Sequence, residues 1–167
     1  MLTACRYLYI GDAPGLGVGV YAAQPFAKGS LLVSDEDGTL HGRCLTLEQA
    51  LAAGYDREDH LFQLAPDRFL PPRGCFDDLF NHSCAPTGGW MLTPRGARFV
   101  AIRDLAAGDE LTYDYSTYLI DDHETLACRC DAPGCRGLIR AWRTLPAVLR
   151  ERYRRLGVVH PAALAGD

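Results

Sequence analysis

The stretches FNHSCAP (residues 80–86) and GDELTYDY (residues 108–115) carry the strongest signals in this chain. In the first, one residue separates His82 from Cys84, so on an extended backbone both side chains point to the same face. This spacing is compatible with a Cys–His nucleophile pair. Nothing else in the chain indicates acyl transfer, so Cys84 is the better candidate for a metal ligand. In the second stretch, Tyr113 and Tyr115 share one strand face, which is also what an aromatic stripe of a core would look like.

A second cysteine signal lies in CRCDAPGC, residues 128–135. Cys128, Cys130 and Cys135 fall within eight residues, and the Asp, Pro and Gly between the last two favour a tight turn. No secretory signal pattern precedes them, so clustered thiols indicate a metal site before disulfides. Structural zinc takes four ligands, and Cys84 is the candidate for the missing one. The remaining cysteines, Cys5, Cys44 and Cys75, are scattered along the chain.

The segment GVGVYA, residues 17–22, contains a Gly-x-Gly pattern. By itself this pattern is weak and is most often a tight turn.

The hydrophobic pattern predicts many short strands and two or three small helices. No βαβ rhythm is present, which argues against a Rossmann fold. Strands are predicted at 6–10, 18–23, 30–34, 89–93, 97–102 and 110–113, and helices after the N-cap Thr46 with a stop at Gly54, at 57–64 and over Leu145–Leu156.

Length and charge narrow the class of protein. The 167 residues and 18.3 kDa suit a single domain, and no apolar run is long enough to span a membrane. We expect an intracellular protein of a reducing compartment, cytoplasmic if bacterial.

The charge is unevenly distributed along the chain. Residues 1–135 carry 10 basic and 19 acidic side chains, a net charge of −9, and residues 136–167 carry 7 basic and 2 acidic side chains, a net charge of +5. The acidic body disfavours direct nucleic-acid binding and favours a basic protein or peptide partner. Arg150, Arg152, Arg154 and Arg155 are interpreted as the solvated face of a helix.

The four motifs together, in this order, resemble the SET-domain family of protein lysine methyltransferases. GVGVYA is similar to the family's N-terminal Gly-x-Gly segment, FNHSCAP to its NHSC motif and GDELTYDY to its ELxxDY motif. CRCDAPGCRG, residues 128–137, is similar to its post-SET motif. The resemblance covers about residues 6–139.

The resemblance implies a mostly β fold with short helices. The expected fold is a β-clip of small curved sheets with a pseudoknot, which brings NHSC beside ELxxDY. The expected organisation is a SET domain over 1–126 with a helical insert at about 44–72, a post-SET zinc segment over 127–140, and a C-terminal helix and tail over 141–167.

The resemblance also implies a function. The chain would transfer a methyl group from S-adenosylmethionine to lysines of a basic protein (histone, histone-like or ribosomal), leaving S-adenosylhomocysteine. Tyr115 would be the catalytic hydroxyl, and Tyr113 would tune how many methyl groups are added. The implied cofactor contacts are Gly17, Val18, Gly19, Asn81, His82, Tyr115 and Leu138, and the implied ligands of one structural zinc are Cys84, Cys128, Cys130 and Cys135.

Two other functions stay open at this point. One is a catalytically weak SET-like domain that serves as a zinc-stabilised protein-binding module. The other is a plain zinc-ribbon adaptor, which would leave the Gly-x-Gly and ELTYDY motifs unexplained. The sequence does not indicate the oligomeric state.

Overall fold

The computed structural model describes residues 7–38, 40–55, 61–120 and 125–165. Its elements are small sheets and short helices, as the resemblance implies. The strands are β1 (Leu8–Ala13), β2 (Gly17–Ala22), β3 (Leu31–Asp35), β4 (Phe62–Ala65), β5 (Arg68–Leu70), β6 (Asn81–His82), β7 (Gly88–Thr93), β8 (Gly96–Ala101), β9 (Thr112–Tyr113), β10 (Leu126–Ala127) and β11 (Leu138–Ile139). The α-helices are α1 (Leu47–Ala52), α2 (Ala147–Leu156) and α3 (Pro161–Ala165). Short 3-10 helices cover Leu40–Arg43, Phe76–Leu79, Tyr115–Thr117 and Trp142–Thr144.

The main core forms around a three-stranded antiparallel sheet in the order β3-β8-β7. Phe99 on β8 is fully buried and packs against Phe80, with ring centroids 4.4 Å apart, and against Trp90, at 5.1 Å. Large apolar side chains buried together are the main favourable contribution to the stability of such a core. The residue before the NHSC motif is therefore anchored in the core.

A hairpin of β1 and β2 carries the Gly-x-Gly segment. The backbone N–H of Leu111 donates to the carbonyl of Val20 at 2.7 Å, and Tyr21 pairs with Glu110. The glycine segment therefore lies directly against the ELTYDY stretch, although about ninety residues of chain separate them.

The crossing expected for this fold is a parallel pair between β6 and β9, in which Asn81 lies opposite Thr112 and His82 opposite Tyr113. The backbone N–H of Ser83 extends the pairing to the carbonyl of Tyr113 at 3.0 Å. NHSC and ELTYDY are thereby adjacent.

The helix predicted after Thr46 is confirmed. The Thr46 hydroxyl accepts a hydrogen bond from the Gln49 N–H, and the Gln49 side chain accepts one from the Thr46 N–H, which is a capping box. Gly54 follows the helix with a φ of 89°, a conformation that glycine adopts without strain.

The helix predicted over 57–64 is wrong where the structure describes it. Phe62–Ala65 forms strand β4, which pairs antiparallel with β5; residues 57–60 lie outside the described part of the chain. Pairing with a partner strand overrides local pattern in so short a segment. The strand predicted at 110–113 is shorter than expected, since only Thr112 and Tyr113 are in it.

The C-terminal segment forms a second, smaller core against the sheet. Its buried side chains include Trp142, Tyr153 and Val158. Gly89 on β7 allows this contact, because a Cβ there would lie 2.6 Å from that of Val158. Arg152, Arg154 and Arg155 are exposed, which confirms the solvated helix face at these positions, whereas the prediction is wrong for Arg150, which is half-buried. None of the helices within the described residues is both long and apolar enough to cross a membrane.

Gly96 provides a test of the close packing at the β7–β8 turn. Its φ is 155°, and a Cβ there would lie 1.8 Å from the backbone oxygen of Asp35. Gly96→Ala should lower the free energy of unfolding by about 3 kcal/mol, from overpacking and backbone strain together. Thermal denaturation should show a Tm roughly 6–12 °C lower.

Gly42→Ala is the matched control, because Gly42 has open space around its Cα and an unstrained φ. Equal Tm values for the two variants would contradict the packing of β3 on this turn.

Candidate active site and metal centre

Asn81 joins three segments of the chain. Its Nδ2 donates to the carbonyl of Val18 at 2.9 Å and to Oε1 of Glu110 at 2.7 Å. A Cβ at position 19 would lie 2.3 Å from that same Glu110 oxygen, so a side chain there would push the Glu110 carboxylate away from Asn81. The second glycine of the Gly-x-Gly segment therefore leaves room for the Asn81–Glu110 contact, which the interpretation as a simple turn does not account for.

Tyr113 and Tyr115 lie side by side, with ring centroids 4.6 Å apart. The Tyr115 hydroxyl donates to the carbonyl of Phe80 at 2.8 Å. Burial raises the pKa of both phenols well above their ordinary value, and for Tyr115 the nearby Glu110 carboxylate adds to the effect. Both hydroxyls are therefore protonated at neutral pH, and the Tyr115 oxygen keeps its lone pairs available as acceptors.

Both tyrosines line a cavity of about 310 Å³. Aromatic side chains from distant parts of the chain form much of its wall: Phe62, Phe80, Trp90, Tyr113, Tyr115 and Tyr118. Sequence reasoning identified only Tyr113 and Tyr115 among these. Phe80 directly precedes the NHSC residues, whereas Phe62, Trp90 and Tyr118 stand in no motif, and the signal that could have found these three is only their aromatic character.

The cavity also contains charged groups that sequence reasoning missed. Arg73 pairs with Asp35 at 3.0 Å and with Asp77 at 2.5 Å. The second Asp77 oxygen, Oδ1, is buried and has no hydrogen-bond partner among the described residues. Burial raises the pKa of the Asp77 carboxyl, while the Arg73 charge opposes this. The cavity can accept a cationic or hydrogen-bond-donating group next to its aromatic walls.

Val18 and Leu138, two residues implied as cofactor contacts, are apolar and solvent-exposed. Their exposed fractions are 42% and 48%. Leu138 is carried toward the NHSC motif because the backbone N–H of Arg136 donates to Sγ of Cys84 at 3.4 Å. Gly17 has a φ of 90° and open space around it. These positions leave an accessible surface beside Asn81.

The four cysteines implied as zinc ligands converge. Sγ of Cys128 lies 3.7 Å from that of Cys84 and 3.5 Å from that of Cys135. Sγ of Cys130 accepts a hydrogen bond from the Cys84 N–H at 3.4 Å. Tetrahedral zinc with bonds of about 2.3 Å has sulfur atoms about 3.8 Å apart, so the observed separations suit it.

His82 lies within this cluster, whereas Cys135 is exposed beside Cys128. The ligand atom of His82 and those of Cys84, Cys128 and Cys130 are all within 4.8 Å of one another. Burial lowers the pKa of His82 to about 4, partly offset by Asp114, so the ring is neutral at neutral pH. Five side chains therefore surround a site that needs four ligands.

The protonation of the thiols also suits a metal. Burial opposes ionisation of Cys130, but backbone N–H groups of Cys84 and Ala132 lower its pKa to about 7. Burial raises the pKa of Cys84 and Cys128. A bound cation would bring all of these sulfurs to the thiolate form.

The other cysteines do not join this cluster. Cys44 and Cys75 are partly buried outside it, and Cys5 lies outside the described residues.

Asp114 of the ELTYDY stretch is the buried acid between these two regions. Its Oδ1 accepts from Arg136 Nη2 at 2.7 Å and from the Ser116 N–H at 3.1 Å, and its Oδ2 accepts from the Tyr153 hydroxyl at 3.1 Å. Arg136 follows the last cysteine and Tyr153 lies on α2. This carboxylate therefore connects the cysteine segment and the C-terminal helix to the ELTYDY stretch.

Known proteins similar to this chain indicate its family. The family model described as "SET domain" matches residues 17–116. The chain is similar to "Histone-lysine N-methyltransferase ash1" of Drosophila melanogaster, with 31% identity over 147 residues. It is also similar to "Histone-lysine N-methyltransferase ATX2" of Arabidopsis thaliana, with 30% identity over 147 residues. These matches cover 79% and 80% of the chain but only 6% and 13% of the two relatives, so the chain is much shorter than either.

A solved structure shares the fold. The "crystal structure of KRYPTONITE in complex with mCHG DNA and SAH" has a TM-score of 0.55 and 21% identity, covering 80% of this chain and 29% of that one. The family match spans more than half of the residues and contains the glycine segment, Asn81 and the tyrosine pair. The chain therefore belongs to the SET domain family.

Proposed function

We propose that the chain is an S-adenosylmethionine-dependent protein-lysine N-methyltransferase. The observation that carries this proposal is the position of Asn81, which contacts both Val18 and Glu110. Asn81 directly follows Phe80, and Phe80 lines the aromatic cavity together with Tyr113 and Tyr115. A binding module has no need for a buried phenol whose oxygen is left free to accept a hydrogen bond.

The residues fit the cofactor. The exposed apolar side chains of Val18 and Leu138 suit an adenine ring, and the open glycine segment leaves backbone groups accessible. Gly17, Val18, Gly19, Asn81, His82, Tyr115 and Leu138 would hold it. When bound, S-adenosylmethionine supplies an electrophilic methyl group on a sulfonium.

The chain's own residues must deliver a neutral amine. Free lysine has a pKa of about 10.4, so deprotonation at pH 7.4 costs about 4 kcal/mol. The aromatic walls of the cavity disfavour the charged form of the amine. The Tyr115 hydroxyl, which donates to Phe80, can accept an N–H of the amine and thereby aim its lone pair, and Tyr113 lies beside it. Neither phenol needs to ionise.

The substrate class follows from charge and from the relatives. The names of the relatives describe histone-lysine methyltransferases, and residues 1–135 have a net charge of −9. An acidic surface attracts basic segments and raises encounter rates. We infer a lysine-bearing segment of a basic protein, such as a histone, histone-like or ribosomal protein, as substrate.

We also infer one structural zinc held by Cys84, Cys128, Cys130 and Cys135. The sulfur separations and the N–H donors to three of the sulfurs support this set. Four thiolates leave no open position, so the metal would order the segment that carries Leu138 and take no part in the reaction.

The main test is methyl transfer to basic proteins, followed by mass spectrometry of the lysines. Lys28 is the chain's only lysine, so a Lys28→Arg background removes self-methylation from the readout. In that background Tyr115→Phe should lower kcat by about 10²-fold, because the hydroxyl that aims the amine is lost. The matched control Tyr55→Phe, outside the cavity, should keep its activity.

Methyl-lysine that depends on Tyr115 supports the enzyme. Binding of S-adenosylmethionine without transfer to any basic protein would instead favour the protein-binding module. Near-normal turnover of Tyr115→Phe would overturn the assignment of the site.

A second prediction concerns product number. Tyr113 lines the cavity, and we infer that its hydroxyl fills space that the methyl group of an already methylated amine would need. Removing it frees room of about one water, roughly 30 Å³. The unmodified chain should make mainly monomethyl-lysine, and Tyr113→Phe should shift products toward di- and trimethyl-lysine. Intact-mass analysis of a methylated peptide measures this; mostly trimethyl-lysine from the unmodified chain would contradict it.

The zinc assignment is tested by elemental analysis of protein purified without chelator. One zinc per chain is expected. Cys84→Ser should lower zinc content and destabilise the post-SET segment, because the cation loses a thiolate. Cys44→Ser and Cys75→Ser are the controls and should keep full zinc. Metal-free protein from a zinc-supplemented preparation would contradict the assignment.

A further inference from the structure

The imidazole of His82 lies between the cysteine cluster and Tyr115, and each ring nitrogen has a different neighbour. Nε2 is 3.4 Å from Sγ of Cys84, and Nδ1 is 3.1 Å from the backbone nitrogen of Tyr115. The residue is 7% exposed. A single buried ring therefore spans the distance between the metal centre and the backbone of the catalytic tyrosine.

The contacts fix the tautomer of this ring. The Tyr115 backbone N–H can only donate, so Nδ1 must be the acceptor and carry no proton. A neutral ring then has its proton on Nε2, and this N–H points at the sulfur of Cys84. A nitrogen that carries a proton has no lone pair for a metal. His82 is therefore excluded as the fourth zinc ligand, and Cys135 is left for that position.

Asp114, the neighbouring acid, forms no hydrogen bond with the imidazole ring. Asp114 Oδ1 is 3.7 Å from Nδ1, beyond hydrogen-bonding distance. Its two oxygens are already engaged by Arg136, Ser116 and Tyr153. The orientation of the imidazole is thus set by the sulfur on one side and by the Tyr115 backbone on the other.

A second connection runs parallel to this one. The backbone N–H of Arg136 donates to the same Cys84 sulfur at 3.4 Å, and its guanidinium holds Asp114. Asp114 and Tyr115, which are adjacent in the chain, are therefore each tied to the Cys84 sulfur by a separate path. Only the path through His82 ends on Tyr115 itself.

We propose that His82 is a positioning residue that couples the metal centre to the catalytic tyrosine. Its Nε2–H hydrogen-bonds the metal-bound sulfur of Cys84, and its Nδ1 holds the Tyr115 backbone. The bond to sulfur withdraws electron density from one thiolate and fixes the ring. The bond to the backbone fixes the position of the Tyr115 backbone and thereby the position of its hydroxyl in the cavity. The inference has two parts: the bond from His82 to the Cys84 sulfur, called the metal arm, and the bond to the Tyr115 backbone, called the Tyr115 arm. The metal arm is independent of the proposed methyl transfer, whereas the Tyr115 arm rests on it.

The test uses the full chain loaded with Co²⁺ or Zn²⁺ and three substitutions at one position. His82→Leu removes both bonds. His82→Gln places an amide donor near Nε2 and can restore the bond to sulfur. His82→Asn places an amide oxygen near Nδ1 and can restore the bond to Tyr115. Asn81→Ala is the control, because its side chain contacts the cofactor side and not the sulfur.

For the metal arm, the unmodified Co²⁺ form should show the spectrum of a four-sulfur tetrahedral site. In His82→Leu the sulfur-to-cobalt charge-transfer band should move to longer wavelength, and Zn²⁺ affinity in a chelator competition should fall about 10- to 100-fold. His82→Gln should recover both, while Asn81→Ala should change neither. An unchanged band and affinity in both His82→Leu and His82→Gln would overturn the hydrogen bond to sulfur. A three-sulfur, one-nitrogen spectrum of the unmodified chain would also overturn it, since His82 would then be a ligand.

For the Tyr115 arm, kcat and KM are measured separately on the zinc-loaded chain. His82→Leu should lower kcat more than it raises KM for the protein substrate, and His82→Asn should recover part of kcat without recovering the cobalt band. If His82→Gln and His82→Asn have the same kcat and the same band, the two bonds do not act separately and the coupling is wrong. If neither the unmodified chain nor any variant transfers methyl groups, the proposed function fails. The cobalt spectra and the zinc affinities then still decide the metal arm.

Discussion

The parallel pairing of Asn81–His82 with Thr112–Tyr113 is the contact on which the rest of the site depends. It is only two residues long, so its own hydrogen bonds cannot maintain it. Thr87 reinforces it, since its hydroxyl donates to the Glu110 carbonyl at 2.8 Å and accepts from the Thr112 N–H at 2.8 Å. The hairpin of β7 and β8 lies between the two paired segments in sequence, and the pairing brings the motifs together across it.

The buried carboxylate of Asp114 extends this arrangement to the C-terminal third of the chain. It is 1% exposed and accepts hydrogen bonds from three separate groups. A buried charge that loses its partner costs about 3–5 kcal/mol, so the bonds from Arg136 and Tyr153 help to hold the cysteine segment and α2 in place. The second small core around Trp142 and Val158 is therefore integral to the domain.

The cavity combines two environments that the proposed lysine substrate would require. Its aromatic walls come from separate elements, and an apolar wall favours a neutral amine over a charged one. The Arg73–Asp35–Asp77 group keeps a partly compensated negative charge at the same cavity, which suits the arrival of a cation. The two tyrosines lie where both environments meet, and their raised pKa values keep the hydroxyls available as hydrogen-bonding groups.

Much of this could be predicted from the sequence, because the information is local. The capping box at Thr46, the strands of the β7–β8 hairpin and the spacing within each motif all depend on neighbours within a few residues, and the order of the four motifs can be read along the chain. Tertiary structure decided the rest. Phe62–Ala65 is a strand because β5 is its partner, and Trp90, Tyr118 and Asp77 line the cavity because distant segments are packed around it. Likewise, His82 and Cys84 share a face by spacing, but which nitrogen faces the sulfur depends on the Tyr115 backbone more than thirty residues away. Contacts between residues far apart in the chain are set by the pairing and burial of whole elements, and no local pattern encodes them.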